Sequence, residues 1–278
     1  MASIEKEEDV HAYVRQHYAG IAEASQKDKT VGCCSPSQSC CSPGDSSAAQ
    51  LISLEAIQEL TEDADILSLG CGDPLFGIGL REGDTVLDLG SGAGLDCFRA
   101  ARKVGKSGKV IGVDMTHEML RLARANQAKA GLDNVEFRLG EIEHLPVADA
   151  SVDIVISNCV INLSPDKPQV FQEAYRVLKS GGRLAVSDIV TDGPLSDTVK
   201  ESLSAWASCI AGALDVQDYR AAIEAAGFET IIVEPVYLEP EVVDDALQQL
   251  DQTIQAAADD DEGIYKKVFS ARITAIKR

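Results

Sequence analysis

Two stretches decide the fold: Thr85–Gly94, TVLDLGSGAG, and Val110–Thr116, VIGVDMT. Each is a short apolar run that ends in an acidic residue, Asp88 in the first and Asp114 in the second. The first then breaks into glycines at Gly90, Gly92 and Gly94, which let a backbone turn sharply and approach a ligand closely. The interval between the two stretches is that of one strand–helix–strand unit. Such a pair marks a nucleoside-binding half of a parallel sheet, with the ligand beyond the carboxyl ends of the strands.

The same rhythm continues outward. Strands are expected at 85–89, 109–113, 135–139, 152–157 and 183–189, with helices at 94–104, 116–130 and 166–178 between them. Alternation of this kind predicts an α/β fold with a parallel sheet and helices on both faces. After Asp188 the pattern changes. Helices are expected at 195–212, 216–226 and 241–257, and strands at 229–237 and 268–276 close the same sheet. That makes a mostly parallel, seven-stranded, Rossmann-like sheet. The organisation reads as an N-terminal cap over 1–78, a nucleoside-binding domain over 79–190, and a helical insertion with the closing strands over 191–278. The cap begins with an amphipathic helix over 8–24, carrying Val10, Tyr13, Val14, His17, Tyr18 and Ile21 at helical spacing, and a short helix is expected at 53–60.

Composition narrows the partners. The chain has 278 residues, with 25 Lys and Arg against 45 Asp and Glu, a formal charge of −20. Such a surface repels phosphate backbones and anionic membranes, so nucleic acid and membrane are not expected as partners. No apolar run is long enough for a bilayer, and the acidic N-terminus lacks a secretory pattern, so a cytoplasmic protein is expected. A monomer is expected as well, although no sequence feature bears on oligomeric state. Eight cysteines in such a setting argue for thiol chemistry rather than a disulfide scaffold.

The nucleoside site is expected to use Asp88, Gly90, Ser91, Gly92 and Gly94 around the first turn, and Asp114 and Met115 after the second strand. Asp114 is placed to accept from both ribose hydroxyls. Glu141 and Ile142 follow the third strand, where an adenine edge can rest, and Asn158 follows the fourth. A dinucleotide fingerprint wants glycine where this chain has Leu95, so a ligand without pyrophosphate fits better. A nicotinamide or flavin enzyme is the alternative. Over 79–187 the chain resembles the class I S-adenosylmethionine-dependent methyltransferases, and the resemblance implies that cofactor.

Three cysteines stand in motifs near this site: Cys71 in GCGDP, Cys159 in SNCVINLS and Cys209 in WASCIAGAL. Taken singly, each reads equally well as a small core residue. Together the motifs resemble the arsenite methyltransferases, and the resemblance runs from the N-terminal helix to about Phe228. It implies that Cys71, Cys159 and Cys209 give thiolates to trivalent arsenic, that the cofactor is S-adenosylmethionine, and that a thiol reductant such as glutathione or thioredoxin acts as co-substrate. The substrate implied is arsenite or its thiol conjugates. The family also captures arsenic with an N-terminal cysteine, which points to one or more of Cys33, Cys34, Cys40 and Cys41 in the Ser- and Pro-rich segment GCCSPSQSCCSPGDSS. The adjacent pairs in CC-x5-CC do not match ordinary zinc spacing. The last fifty residues are shorter and more acidic than the family pattern. Two other readings stay open: a methyltransferase for a quinone precursor or sterol, and a non-catalytic thiol-based metalloid binder.

Other residues read more plainly. Cys97 keeps step with Ala101 and Val104 on a helix and reads as core. Glu173 and Arg176 read as a solvated helix face, and His117 and His144 stand too far apart to suggest a metal site. Asn158 and Asn162 flank Cys159 and are candidates to hold either the loop or the cofactor.

Overall fold

The computed structural model describes residues 2–27, 72–193, 212–236 and 267–278. Cys33, Cys34, Cys40, Cys41, Cys71 and Cys209 lie outside the described residues, as do the helices expected at 53–60 and 241–257 and nearly all of 195–212.

The chain opens with helix α1 (Ala2–Lys27), longer at both ends than the apolar spacing predicts. The sheet follows: β1 (Thr85–Leu89), α2 (Leu95–Val104), β2 (Lys109–Asp114), α3 (His117–Ala130), β3 (Val135–Leu139) and β4 (Val152–Asn158). A short 3-10 turn (Ile161–Leu163) leads to α4 (Lys167–Val177), β5 (Leu178–Thr191), α5 (Val216–Ala225), β6 (Glu229–Val236) and β7 (Val268–Ile276). All seven strands join one sheet in the order β3-β2-β1-β4-β5-β7-β6, with β7 antiparallel to both neighbours. The strand order therefore reverses between β1 and β4, and that is where a crevice opens in a sheet of this kind.

Side-chain alternation along the strands builds two apolar layers. Leu87, Leu89, Ile111, Val113 and Val155 face α4 and α5, where Phe171 and Tyr219 meet edge to face at 5.4 Å between ring centroids. Val86, Val110, Ile154, Ile156 and Ala185 face the other way, toward Phe98 and Val104 of α2 and Leu120 of α3. Cys97 belongs to this second layer and is fully buried, as its spacing implies. Among the described residues, no helix is long and apolar enough to cross a membrane.

One strand differs from its sequence reading. The turn at Ser180–Gly182 is expected to precede a strand at 183, yet β5 begins at Leu178. Leu178 pairs with Val152, and the next pair is Arg183 with Ile154. The glycine turn is thus absorbed as a bulge, with Gly181 at φ 78° and its N–H donating to the Lys277 carbonyl at 2.7 Å.

Gly94 caps α2 at φ 95°, and a Cβ there would stand 2.6 Å from the Phe98 ring and 2.9 Å from the Phe137 ring. Gly94→Ala combines left-handed strain with overpacking and is expected to lower stability by about 1–3 kcal/mol. A urea midpoint equal to that of the parent protein would contradict this.

Candidate active site

A cavity partly open to solvent lies beyond the carboxyl ends of β1, β2 and β4. Asp88, Asp114 and Asn158, the final or near-final residues of those strands, reach its wall. Gly90 and Gly92 follow at φ 66° and 50°, and Gly90 leaves no room for a Cβ, which would meet Val160 at 2.4 Å. Ser91, Met115 and Ile142 also line the cavity.

The acidic groups are held by specific donors. Asp114 accepts from the Gly92 N–H at 2.9 Å through Oδ2 and from the Thr116 N–H at 2.8 Å through Oδ1. The Thr116 side chain bonds the same carboxyl, which still has acceptor capacity left for a ligand. Asp88 accepts from the Cys97 thiol at 3.2 Å. Asp96, at the start of α2, takes Arg99 on one oxygen and Asn158 on the other, at 2.8 and 2.9 Å. Burial raises all three carboxyls above the ordinary range, Asp88 most clearly because the charge of Asp96 adds to it. Burial, and then the Asp88 carboxyl, push the Cys97 thiol well up, so Cys97 is an inert donor rather than a reactive thiolate.

Two polar atoms on the wall have no partner. Ser91 Oγ and Asn158 Oδ1 are buried and make no hydrogen bond. Asn158 spends both amide hydrogens on protein, on the Gly72 carbonyl and on Asp96, so its Oδ1 is left as an acceptor. Buried polar atoms are rarely left so, and these two are free for a ligand. Among the described residues lining the cavity there is no lysine or arginine. The charge balance therefore favours a cationic ligand over a pyrophosphate.

Cys159 lies on the same wall, one residue beyond Asn158, and is buried. Its backbone is left-handed at φ 57°, an uncommon state for a residue with a Cβ. Its N–H donates to the Ser187 carbonyl of β5 at 2.8 Å. The turn after it is tied down by Asn162, whose amide donates to the Ile189 carbonyl at 2.6 Å and whose N–H donates to Asp188 at 3.2 Å. Asn162 thus serves the loop, whereas Asn158 faces both loop and cavity. Asp188 is fully buried, and burial pushes its carboxyl up to about 7 in spite of the Tyr219 hydroxyl at 3.1 Å. Cys159 is disulfide-bonded. Among the described residues no cluster of His, Cys, Asp and Glu could hold a metal ion.

Helix α1 covers one side of the cavity and packs on α3. His11, Val14 and Tyr18 line the cavity from it, on one face at helical spacing. The His11 ring donates to Glu143 at 3.0 Å, and Glu143 also accepts from the Ser164 hydroxyl. The bond to Glu143 raises the His11 pKa. On Glu143 itself burial acts upward, but His11 and Ser164 outweigh it and the net shift is downward. Arg15 donates to Glu141 at 3.0 Å.

Two of the residues expected at the nucleoside site are not on the wall. Gly94 turns into α2 beneath it, and Glu141 pairs with Arg15 on α1, while Glu143 takes a place on the wall instead. Sequence reading overlooked His11, Asp96, Glu143 and Ser164. His11 shares a helical face with Val14 and Tyr18, which was a usable signal. Nothing local marks Glu143, because its role depends on a partner 132 residues away. The Glu173–Arg176 pair is no solvated face. Glu173 accepts from the Leu145 N–H at 2.7 Å, and Arg176 donates to the Val147 carbonyl at 2.9 Å, so together they fasten the loop after β3 to α4.

Fold and site together define a nucleoside-binding domain of the class I methyltransferase type. The family model described as a methyltransferase domain matches residues 80–227. An arsenite methyltransferase of Halobacterium salinarum is 46% identical over 249 residues, which cover 86% of this chain and 62% of the relative. The arsenite methyltransferase of Mus musculus is 35% identical, over 82% of this chain and 60% of the relative. The crystal structure of an arsenic(III) S-adenosylmethionine methyltransferase from Chlamydomonas reinhardtii superposes with a TM-score of 0.62 at 33% identity, covering 83% of this chain and 72% of that one. The chain belongs to the arsenite methyltransferase family. It spans about three fifths of the length of the curated relatives it matches.

The raised carboxyls set a pH dependence with a definite sign. Asp88, Asp96 and Asp114 bind protons more tightly folded than unfolded, so their contribution to stability is present below the ordinary carboxylate range and is lost as pH rises through the folded values. A cation in the cavity favours the ionised forms. S-adenosylmethionine binding is therefore expected to release protons and to tighten as pH rises. Calorimetry in two buffers of different ionisation enthalpy reads this directly, and net proton uptake would contradict it.

Cys97→Ala leaves Asp88 without its buried donor and is expected to cost about 1–3 kcal/mol, with Cys97→Ser losing less. Denaturant titration of the two variants checks the order.

Proposed function

We propose that the protein transfers methyl groups from S-adenosylmethionine to trivalent arsenic held by the thiolates of Cys71, Cys159 and Cys209. The observation that carries this reading is the position of Cys159. It stands on the wall of a nucleoside cavity, next to an asparagine with a free acceptor, in a strained backbone of the kind that persists at functional positions. Cys71 and Cys209 enter by their motifs and by the chain's kinship with relatives named for arsenite methylation.

The residues present fit the cofactor. Asp114 would hold the ribose hydroxyls, Ile142 would rest against the adenine, and Ser91 and Asn158 would use the polar atoms that the protein leaves unpaired. The carboxyls of Asp88, Asp96 and Asp114 suit a positively charged ligand. When bound, S-adenosylmethionine supplies an electrophilic methyl group on a sulfonium.

The protein's own share is selection and alignment. Thiolates are soft and prefer trivalent arsenic to hard oxygen ligands. A free thiol has a pKa of about 8.5, so each gives up its proton as it binds, and the three hydroxides of arsenous acid leave as water. The arsenic lone pair is the nucleophile, so no general base is needed at the reacting atom. Orientation alone lowers a barrier by about 7–11 kcal/mol in favourable cases.

A disulfide-bonded Cys159 offers no thiolate. Exchange with an external thiol frees it while that reagent is oxidised in its place, and this supports glutathione or thioredoxin as co-substrate. The same need favours a reducing, cytoplasmic setting. One or more of Cys33, Cys34, Cys40 and Cys41 would capture arsenite first, and the working unit would be a monomer.

Incubation with S-adenosylmethionine, arsenite and a thiol, followed by speciation of the arsenic, is expected to give methylated arsenicals that disappear when the thiol is left out. Cys159→Ser and Cys209→Ser are each expected to lower the rate by about a hundredfold or more. Solely inorganic arsenic at the end would overturn the reading, and serine variants of full activity would point to an organic acceptor.

A further inference from the structure

Asp188 is a fully buried carboxyl with no place on the cavity wall, and its contacts lead to Cys159. It follows Ser187 on β5, whose carbonyl accepts the Cys159 N–H at 2.8 Å. Its Oδ2 accepts from the Asn162 N–H at 3.2 Å and from the Tyr219 hydroxyl of α5 at 3.1 Å. Its Oδ1 accepts from the Ile189 N–H at 3.0 Å. Lys167 of α4, also buried, adds an attractive charge, and its Nζ donates to the Ser164 carbonyl at 2.9 Å. Burial nonetheless raises the Asp188 carboxyl to about 7, so the protein holds its ionised form only with the help of these donors.

The segment that these groups back is short and strained. Cys159 stands at φ 57°, a left-handed state that persists only where neighbours enforce it. Two backbone bonds inside the turn, from the Leu163 N–H to the Val160 carbonyl at 2.9 Å and from the Ser164 N–H to the Ile161 carbonyl at 3.0 Å, begin only after Cys159. They shape the turn but do not fix it to the sheet. That task falls to β5. Ser187 takes the first residue of the turn, while Asp188 and the Ile189 carbonyl take Asn162 through its N–H and its amide. Tyr219 holds the carboxylate from behind. Its ring is fully buried and meets Phe171 edge to face at 5.4 Å, so the hydroxyl has little freedom to turn away. Neither Tyr219, Asp188 nor Asn162 lines the cavity.

We propose that Asp188, backed by Tyr219, is a positioning residue for Cys159: it holds the turn after β4 in the strained form that presents this cysteine to the cavity. The proposal deepens the reading of Cys159 as an arsenic ligand and rests on it. Asparagine cannot take over the task. An amide sets one acceptor oxygen against three donors, and its own hydrogens would face those of Asn162, Ile189 or Tyr219. Phenylalanine at 219 keeps the ring packing and removes the hydroxyl alone. Cys159 directly follows Asn158 in the chain, so the decisive measurement reads the thiol itself and not the affinity for the cofactor.

The test treats the reduced full-length chain with iodoacetamide above neutral pH, where Asp188 is ionised, and follows each cysteine by peptide mass spectrometry. Cys97 and Cys159 fall on separate tryptic peptides, each with a single cysteine. Cys97 is fully buried in the core, so its alkylation reports opening of the whole domain. Cys159 reports opening of its turn as well. Asp188→Asn is expected to speed alkylation of Cys159 relative to Cys97 by about tenfold or more, since a lost hydrogen bond to a charged group makes local opening easier. Tyr219→Phe is expected to act in the same direction, by about threefold or more. Both variants are expected to raise the KM for arsenite. Arg220→Gln, which breaks an exposed pair with Glu224 on α5, is the control and is expected to change neither. A thermal melt shows whether Asp188→Asn folds; Tyr219→Phe carries the decision if it does not. An unchanged ratio of Cys159 to Cys97 alkylation in the folded variants would overturn the proposal, because a loss of stability alone speeds both. So would an arsenite KM equal to the parent's alongside the faster alkylation. If the alkylation depends on Asp188 but the parent protein makes no methylated arsenic, the anchorage stands and the arsenite reading falls. If arsenic is methylated and the alkylation ignores Asp188, the reverse holds.

Discussion

Three carboxyl groups, Asp88, Asp96 and Asp114, sit buried beside one another at the open end of a parallel sheet, and the character of the cavity follows from the cost of keeping them there. Burial alone would neutralise them. The protein resists this with backbone N–H groups on Asp114, an arginine on Asp96 and a thiol on Asp88. What remains is a wall rich in acceptors and poor in positive charge. A ligand that brings its own positive charge and its own hydroxyl donors completes such a wall, whereas a phosphate would add to the repulsion. The glycine turn serves the same end, since it lets Gly92 present its N–H to Asp114 while the chain passes close to the ligand.

The N-terminal helix belongs to this arrangement as much as the sheet does. Its apolar face, Val10 and Val14, is buried, and its polar partners, His11 and Arg15, reach the acidic loop after β3. That loop is in turn fastened to α4 by Glu173 and Arg176. The loop after β3 is therefore held from two directions, by α1 on one side and α4 on the other. The His11–Glu143 contact is partly buried and so is screened less by salt than an exposed pair.

The sheet was legible because its signals are local. Alternating apolar runs, glycine punctuation and acidic strand ends all lie within a few residues of one another, and each strand from β1 to β4 begins where its pattern starts. Asp88, Asp114, Ser91 and Asn158 could be placed for the same reason, since strand ends in this topology converge. Reading failed where function depends on distant partners. Glu143 gains its place through a histidine on α1, and Glu173, which reads as part of a solvated helix face, through the loop after β3. The start of β5 was missed because a Ser-Gly-Gly turn ordinarily ends a strand, and here it bulges within one. Arg99 drew no reading from the sequence: of its two carboxylate partners Asp96 is three residues away, but Asp73 is 26 away.

Under the proposed function, two kinds of selectivity meet at adjacent residues. Asn158 belongs to the cavity that favours a cation by its charge, and Cys159 belongs to the thiols that favour arsenic by softness. Both hang from the end of β4, and the backbone there is pinned by Ser187 of β5 and by the turn that Asn162 and Asp188 hold. The same strand end is tied to Gly72, whose carbonyl accepts from the Asn158 amide, and to Asp96 of α2, which accepts the other amide hydrogen. The acidic surface elsewhere costs such a substrate nothing, since arsenous acid is neutral at neutral pH.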